Sequence, residues 1–261
     1  MGVEDAAGGA GGRLVGADRV LAVLKELGAH GDGVTLDELT RSIGSPKPTV
    51  HRALAALRRA GFAGQDRSGR YLLGDELLRL AFANHEARPD HIRIRPVLED
   101  LAIRFGETAH FAVLHGREVV YRAKVDPSSG AARLTSVIGG RNPAHCTGVG
   151  KLLLAEELPT LSAVKAWVGD RTLEVRTPRT IRSTTALHRA LEEIRARGFA
   201  TDDGENELGI SCIAVPVHLT SPTVPSGAVS VSALAYRTPL SRLVDAVDDI
   251  RARVERVGHA A

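Results

Sequence analysis

Apolar residues return at helical spacing in three successive runs near the start of the chain. Val20, Leu21, Leu24 and Leu27 form the first, Leu36, Leu39 and Ile43 the second, and Val50, Leu54 and Leu57 the third. Spacings of three and four place each set on one face of a helix. Thr35, followed three residues later by Glu38, is a capping box for the second helix, and Gly44 stands where a helix ends on a left-handed residue. The third run opens through "SPKP". Ser45 is expected as its N-cap, with Pro46 and Pro48 at the first and third helical positions, where proline forfeits no ladder bond. The Ser45 hydroxyl is then expected to accept from the Lys47 N–H.

At about 100° per residue, Arg52 and Arg59 point away from the Val50 stripe. Thr49 and His51 flank them, and Ala55 and Ala56 keep the rod slim. Gly61 stops this helix. "FAGQDRSGRYLLG" then reads as two short strands about an Asp66–Gly69 turn. Helix, helix, turn, helix and hairpin make a winged helix-turn-helix. "DELLRLAFANHEA", with Leu77, Leu78 and Ala81 apolar and Pro89 as its stop, is expected to be a linker helix and a candidate dimer contact.

The rhythm changes from Ile92. A helix "IRIRPVLEDLAIRFG" precedes strand-like "ETAHFAVLHG" and "REVVYRAKVD", which meet at a His115–Gly116 turn. "AARLTSVIG" is a further strand candidate, and "TGVGKLLLAEEL" opens a helix. "STTALHRALEEIRARG" is another, stopped by Gly198. "GISCIAVPVHL" and "GAVSVSALAY" are strands, and Thr238 and Pro239 start a single last helix. The expected class is α+β, with a largely antiparallel sheet covered by helices on one side. The organisation expected is a disordered tail over 1–12, the winged domain over 13–74, the linker helix over 75–90 and a second domain over 91–261.

Charge sharpens the reading of the first half. Between Gly44 and Arg70 stand six basic residues, Lys47, Arg52, Arg58, Arg59, Arg67 and Arg70, against the single acid Asp66. The chain as a whole carries a net charge of only +3, so this is a local patch of the kind that meets phosphates. Arg52 suits a guanine edge or a phosphate, Thr49 and His51 suit base edges, and Lys47, Arg67 and Arg70 suit backbone phosphates. Thr35, Ser45 and Pro48 complete the candidate DNA-binding set. The partner implied is double-stranded DNA.

The two cysteines, Cys146 and Cys212, have no zinc spacing around them, so no metal or cofactor is expected. Neither has a motif supplying a base and an orienting group, so no catalytic residue is assigned. "TGVGKL" lacks the earlier glycine of a phosphate-binding loop, His145 standing in its place. No apolar run approaches membrane-spanning length, and a cytoplasmic protein is expected.

"SPKPTVHRALAALRRAGF", "NPAHCTGVGKLLLA", "GFATDDGENELGISCIAVPV" and "GAVSVSA" resemble, in order and separation, the characteristic segments of the IclR family of bacterial transcriptional regulators. The likeness runs from about Arg13 to near the end of the chain. It implies a winged-helix DNA-binding domain, a linker helix and a GAF-like domain that binds a small organic acid or aromatic effector. It also implies dimers or tetramers that repress or activate an operon, repression being the expectation here. Carried over by motif, the effector pocket falls on Leu134, Asn142, Gly148, Val149, Asp202, Ile210, Cys212, Ser230 and Ser232. Gly148 and Val149 would offer backbone N–H groups to a carboxylate, and Asp202 would accept from a ligand hydroxyl. The "DDGENE" run departs from the family's usual "DDEE", Gly204 being the departure, and Gly64 stands at a strand position where a side chain is more usual.

Overall fold

A computed structural model describes residues 16–86, 89–127 and 134–258. The expected tail at 1–12 lies outside them. The chain divides into two compact units, Met1–Ala87 and Arg88–Ala261.

The first unit holds helices α1 (Gly16–Ala29), α2 (Leu36–Ile43), α3 (Lys47–Arg59) and α4 (Asp75–Glu86), with strands β1 (Ala63–Gln65) and β2 (Tyr71–Leu73) between α3 and α4. Val23, Leu27, Leu39, Val50, Leu54 and Leu57 close its core. Leu21, expected inside, is 55% exposed, and Val23 takes its place on the buried face of α1. The Thr35–Glu38 capping box forms as expected, and Gly44 ends α2 at φ 64°. β1 and β2 pair antiparallel as the expected hairpin. Val34 adds a two-way backbone bridge to Tyr71, at 2.9 and 2.8 Å, which ties the hairpin to the start of α2.

Helix α3 begins one residue later than expected. Its N-cap is Pro46, with no side-chain cap, and Pro48 sits at the second helical position. The Pro46 carbonyl accepts from two amides, Thr49 at 2.8 Å and Val50 at 3.1 Å. The Ser45 hydroxyl therefore does not cap Lys47. At the other end, Gly61 N–H bonds Arg58 O and Phe62 N–H bonds Leu57 O, a Schellman closure that turns the chain into the hairpin.

The second unit is a six-stranded, wholly antiparallel sheet of order β5-β4-β3-β8-β7-β6. Its strands are β3 (Thr108–His115), β4 (Glu118–Val125), β5 (Arg141–Pro143), β6 (Ala200–Asp203), β7 (Ile210–Val217) and β8 (Gly227–Leu234). Its helices are α5 (Pro89–Phe105), α6 (Gly148–Glu157), α7 (Leu161–Val168), α8 (Thr184–Arg197), α9 (Leu240–Asp245) and α10 (Val247–Gly258). Helices cover both faces of the sheet, not one. Leu152, Leu154, Val164, Leu187 and Leu191 of α6, α7 and α8 pack on Ala112, Ala214 and Ala228. Leu98, Leu101, Leu243 and Ile250 of α5, α9 and α10 pack on Phe111, Ile213, Val229 and Val231. Small residues face one layer and large ones the other, which lets α6 lie close to the sheet.

Further expectations are corrected. "AARLTSVIG" forms no strand over its described part, 134–139. The Lys124 ammonium takes the Leu134 and Ser136 carbonyls, at 3.0 and 2.8 Å, that a ladder would need. The last helix is two, broken at Ala246, whose N–H turns back to Val244 O. Thr238 caps neither, because its hydroxyl donates to buried Glu107 at 2.7 Å. Asp202 lies in β6 opposite Cys212 of β7. Pro89 begins α5, after α4 ends at Glu86. No helix among the described residues is long and apolar enough to cross a membrane.

Candidate functional site

On the first unit, α3 buries Val50, Ala53, Leu54 and Leu57 and turns His51, Arg52, Arg58 and Arg59 outward. Leu36, Lys47, Pro48, His51 and Arg52 line one shallow surface depression. Lys47 reaches Asp37 of α2 at 2.6 Å, with both side chains more than half exposed. Such a pair is weak in water and can exchange for a phosphate. Arg67 lies exposed in the hairpin turn, whose shape is set by Asp66: its Oδ1 accepts from Ser68 N–H, Ser68 Oγ and Arg70 N–H at 2.7–2.9 Å.

Two members of the expected DNA-binding set are otherwise engaged. The Thr35 hydroxyl is consumed in the capping box, accepting from Glu38 N–H at 3.2 Å and donating to Glu38 Oε2 at 2.8 Å. Arg70 donates from Nε and Nη2 to the Gly33 carbonyl at 3.1 and 2.7 Å and lies 3.5 Å from Glu38. It fastens the hairpin to the turn before α2. Ser45 is buried.

In the second unit a cavity of about 200 Å³ opens between the amino end of α6, the sheet and the segments 134–142 and 176–210. Eight of the nine residues assigned by resemblance line it: Leu134, Asn142, Val149, Asp202, Ile210, Cys212, Ser230 and Ser232. Gly148 does not. A Cβ there would stand 2.8 Å from Cys212 Sγ, so glycine is what allows α6 to press on β7. α6 starts from Thr147, whose Oγ1 accepts from Gly150 N–H at 3.1 Å.

Several lining residues lay outside the sequence reading: His110, Tyr121, Ser136, Thr147, Arg176, Asn206 and Glu207 among them. They come from distant strands and loops, and no local spacing marks them. His110 Nε2 pairs with Ser136 Oγ at 2.7 Å and Nδ1 with Ser232 Oγ at 3.4 Å. Burial and nearby Lys124 push His110 down to about 3, so it is a neutral hydrogen-bonding group. Asn142 Nδ2 donates to Tyr121 Oη at 3.3 Å, and burial raises that phenol to about 12.

Asp202 is 5% exposed. Burial pushes its carboxyl up to about 7, while Lys151 and the Glu205 and Asn206 amides hold it down. Those amides reach Oδ1 at 2.7 and 3.4 Å. Buried Lys151 is ion-paired with Glu205, whose carboxyl burial also raises. Burial drives both the Cys146 and Cys212 thiols up to about 12, the opposite of an activated nucleophile. The loop after β6 is clasped from outside. Thr177 Oγ1 donates to Gly204 O at 2.7 Å and Thr180 Oγ1 to Glu205 O at 2.6 Å. Gly204 itself has φ 70°, which explains why glycine interrupts the acidic run there.

A winged helix-turn-helix with an outward basic face, joined to a sheet domain with a polar cavity, defines a DNA-binding regulator of the ligand-responsive kind. Residues 91–259 match the family described as bacterial transcriptional regulator IclR, C-terminal, and residues 16–67 match the IclR helix-turn-helix domain. The chain belongs to the IclR family of DNA-binding transcriptional regulators, which carry a C-terminal effector-binding domain and are not enzymes. It is 30% identical to the HTH-type transcriptional regulator XynR of Escherichia coli, over 93% of this chain and 94% of that one. It is 32% identical to the Pca regulon regulatory protein of Pseudomonas putida, over 86% and 76% of the two chains. The crystal structure of the Thermotoga maritima IclR covers 92% of this chain and 96% of its own at 25% identity, with a TM-score of 0.75.

Proposed function

We propose that this chain represses a catabolic or metabolic operon and that a small organic acid bound in the cavity controls it. The observation carrying this is the amino end of α6 at the cavity, where Thr147 and Val149 line the wall. Backbone N–H groups and the helix dipole there favour a carboxylate. Ser230, Ser232, Asn142 and neutral His110 supply the short-range hydrogen bonds that orient hydroxyl or keto groups, and Leu134 and Ile210 supply apolar wall.

On the DNA side, Arg52 reads a base edge, with Thr49 and His51 beside it, and Lys47 and Arg67 hold phosphates. Arg70 serves by holding the wing in place. A dimer would set two such helices about one DNA turn apart, ~34 Å, or a multiple of it. Leu78, Leu80 and Phe82 on α4 are 57%, 42% and 62% exposed, which supports self-association through that helix. Ligand binding then shifts the population between arrangements that differ in this spacing. A gel-shift titration on the promoter region beside the chain's own gene tests the reading. A shifted band released by glycolate, glycerate or 4-hydroxybenzoate is expected, and a band indifferent to small acids and to their neutral analogues rejects it.

A further inference from the structure

The floor of the cavity is not a simple anion cradle. Asp202 and Glu207 line it, and Lys151 pairs with Glu205 just beneath Asp202. When Asp202 is ionised, the carboxylates of Asp202, Glu205 and Glu207 outnumber the one Lys151 ammonium at this end of the cavity. The amino end of α6 offers the equivalent of about half a positive charge, which does not offset that excess. An acid ligand therefore needs a full positive charge at the α6 end.

Two guanidinium groups line the cavity, Arg141 and Arg176. Arg141 sits on the edge strand β5 and pairs with Glu118 of β4 at 3.1 Å. Arg176 lies in the segment after α7, and its charge opposes the burial-driven rise of the Cys146 thiol. Arg176 lines the same cavity as Thr147, the N-cap of α6. Its own partner is Glu174, a single contact at 3.3 Å with side chains 39% and 58% exposed. A solvated monodentate pair of this kind contributes little, whereas a ligand carboxylate can engage the guanidinium fork bidentately.

We propose that Arg176 makes the cavity selective for anions, taking the ligand's acid group at the α6 entrance in exchange for Glu174. This rests on the reading of the cavity as the effector site. Thr180 positions it: the Thr180 hydroxyl accepts from the Arg176 and Thr177 amides at 3.1 and 2.8 Å while donating to Glu205 O. The loop bearing the guanidinium and the loop beside Asp202 are thereby one clasped unit.

The test compares acids with their neutral amides, glycolate with glycolamide, glycerate with glyceramide and 4-hydroxybenzoate with 4-hydroxybenzamide, by calorimetric titration of the full-length protein. Wild type is expected to prefer at least one acid over its amide tenfold or more. Arg176→Gln should level that preference by weakening the acid alone, and Arg176→Lys should keep part of it. Ligand-free operator binding and the thermal melting of the second unit should be unchanged in both variants, which shows that both units fold. An undiminished acid preference in Arg176→Gln overturns the proposal while leaving the effector reading intact, as does equal binding of acid and amide by wild type. Failure of every probe to bind wild type overturns both.

Discussion

Arg70 and Gly33 are joined by two hydrogen bonds, from Nε at 3.1 Å and Nη2 at 2.7 Å to a single backbone carbonyl. A residue that reads in sequence as one more phosphate contact is the strap between the wing and the entrance to α2. Arg70→Ala should lower the stability of the isolated transition of the first unit by about 1 kcal/mol, the usual scale for a partly exposed charged hydrogen bond. It should leave the salt slope of operator binding unchanged. Arg67→Ala should do the reverse, with unaltered melting and a slope shallower by about 0.9. Thermal melts and binding isotherms at several salt concentrations separate the two.

Arg52 is exposed on the outward face of α3 and is not needed for the core. Arg52→Ala should leave melting unchanged, cost roughly 1–3 kcal/mol of operator affinity and relax preference at one base position. A competition series with single-base operator variants checks this. A uniform loss across all variants would reassign the side chain to phosphate.

Gly148 allows α6 to touch Cys212 Sγ, and an added methyl would stand 2.8 Å from it. Gly148→Ala should destabilise the second unit by about 1–3 kcal/mol through overpacking. Cys212→Ala in the same chain should relieve much of that, because the remaining neighbours of the new methyl lie at 3.6 and 3.7 Å. A double-mutant cycle by chemical denaturation should show favourable coupling of about 0.5 kcal/mol or more.

The buried Asp202 carboxyl, raised by burial to about 7 from an ordinary 3.8, binds its proton more tightly folded than unfolded. Its contribution to stability is therefore present below about pH 4 and is lost as pH rises towards 7. Asp202→Asn keeps the oxygen that accepts from the Glu205 and Asn206 amides and removes the titration. The variant should melt higher than wild type at pH 8, the difference closing as pH falls towards 4. Melting curves across that range check the sign.

Both thiols are buried and pushed up to about 12, first by burial and then by Asp202. Cys146 and Cys212 should react with a thiol reagent at pH 8 only at the rate of unfolding, and at once in denaturant.

Long amphipathic helices and capped turns were legible in the sequence because their signals are local. The Thr35–Glu38 box, Gly44, the Asp66 turn and the Gly198 stop each rest on residues within four positions of one another. Errors arose where a distant group competes for the backbone. The segment 134–139 has strand-like composition, but Lys124 removes two of its carbonyls from any ladder. β6 is four residues long and half acidic, too short to announce itself. α3 began one residue late, its first carbonyl acceptor being Pro46. Family-like motifs marked one wall of the cavity. The rest of the lining, His110, Tyr121 and Arg176 among it, assembles only through sheet order and loop clasps.

Strand β8 runs through the middle of the sheet with a different neighbour on each side. Ser230 and Ser232 face the cavity, while Val229 and Val231 sit in the layer made by Leu98 of α5 and Ile250 of α10. Close-packed interiors resist compression, so a guest that nudges the hydroxyl side of this strand has to be felt on its greasy reverse. In four consecutive side chains the second unit thus joins the wall of its cavity to the layer beneath the helix that opens the unit.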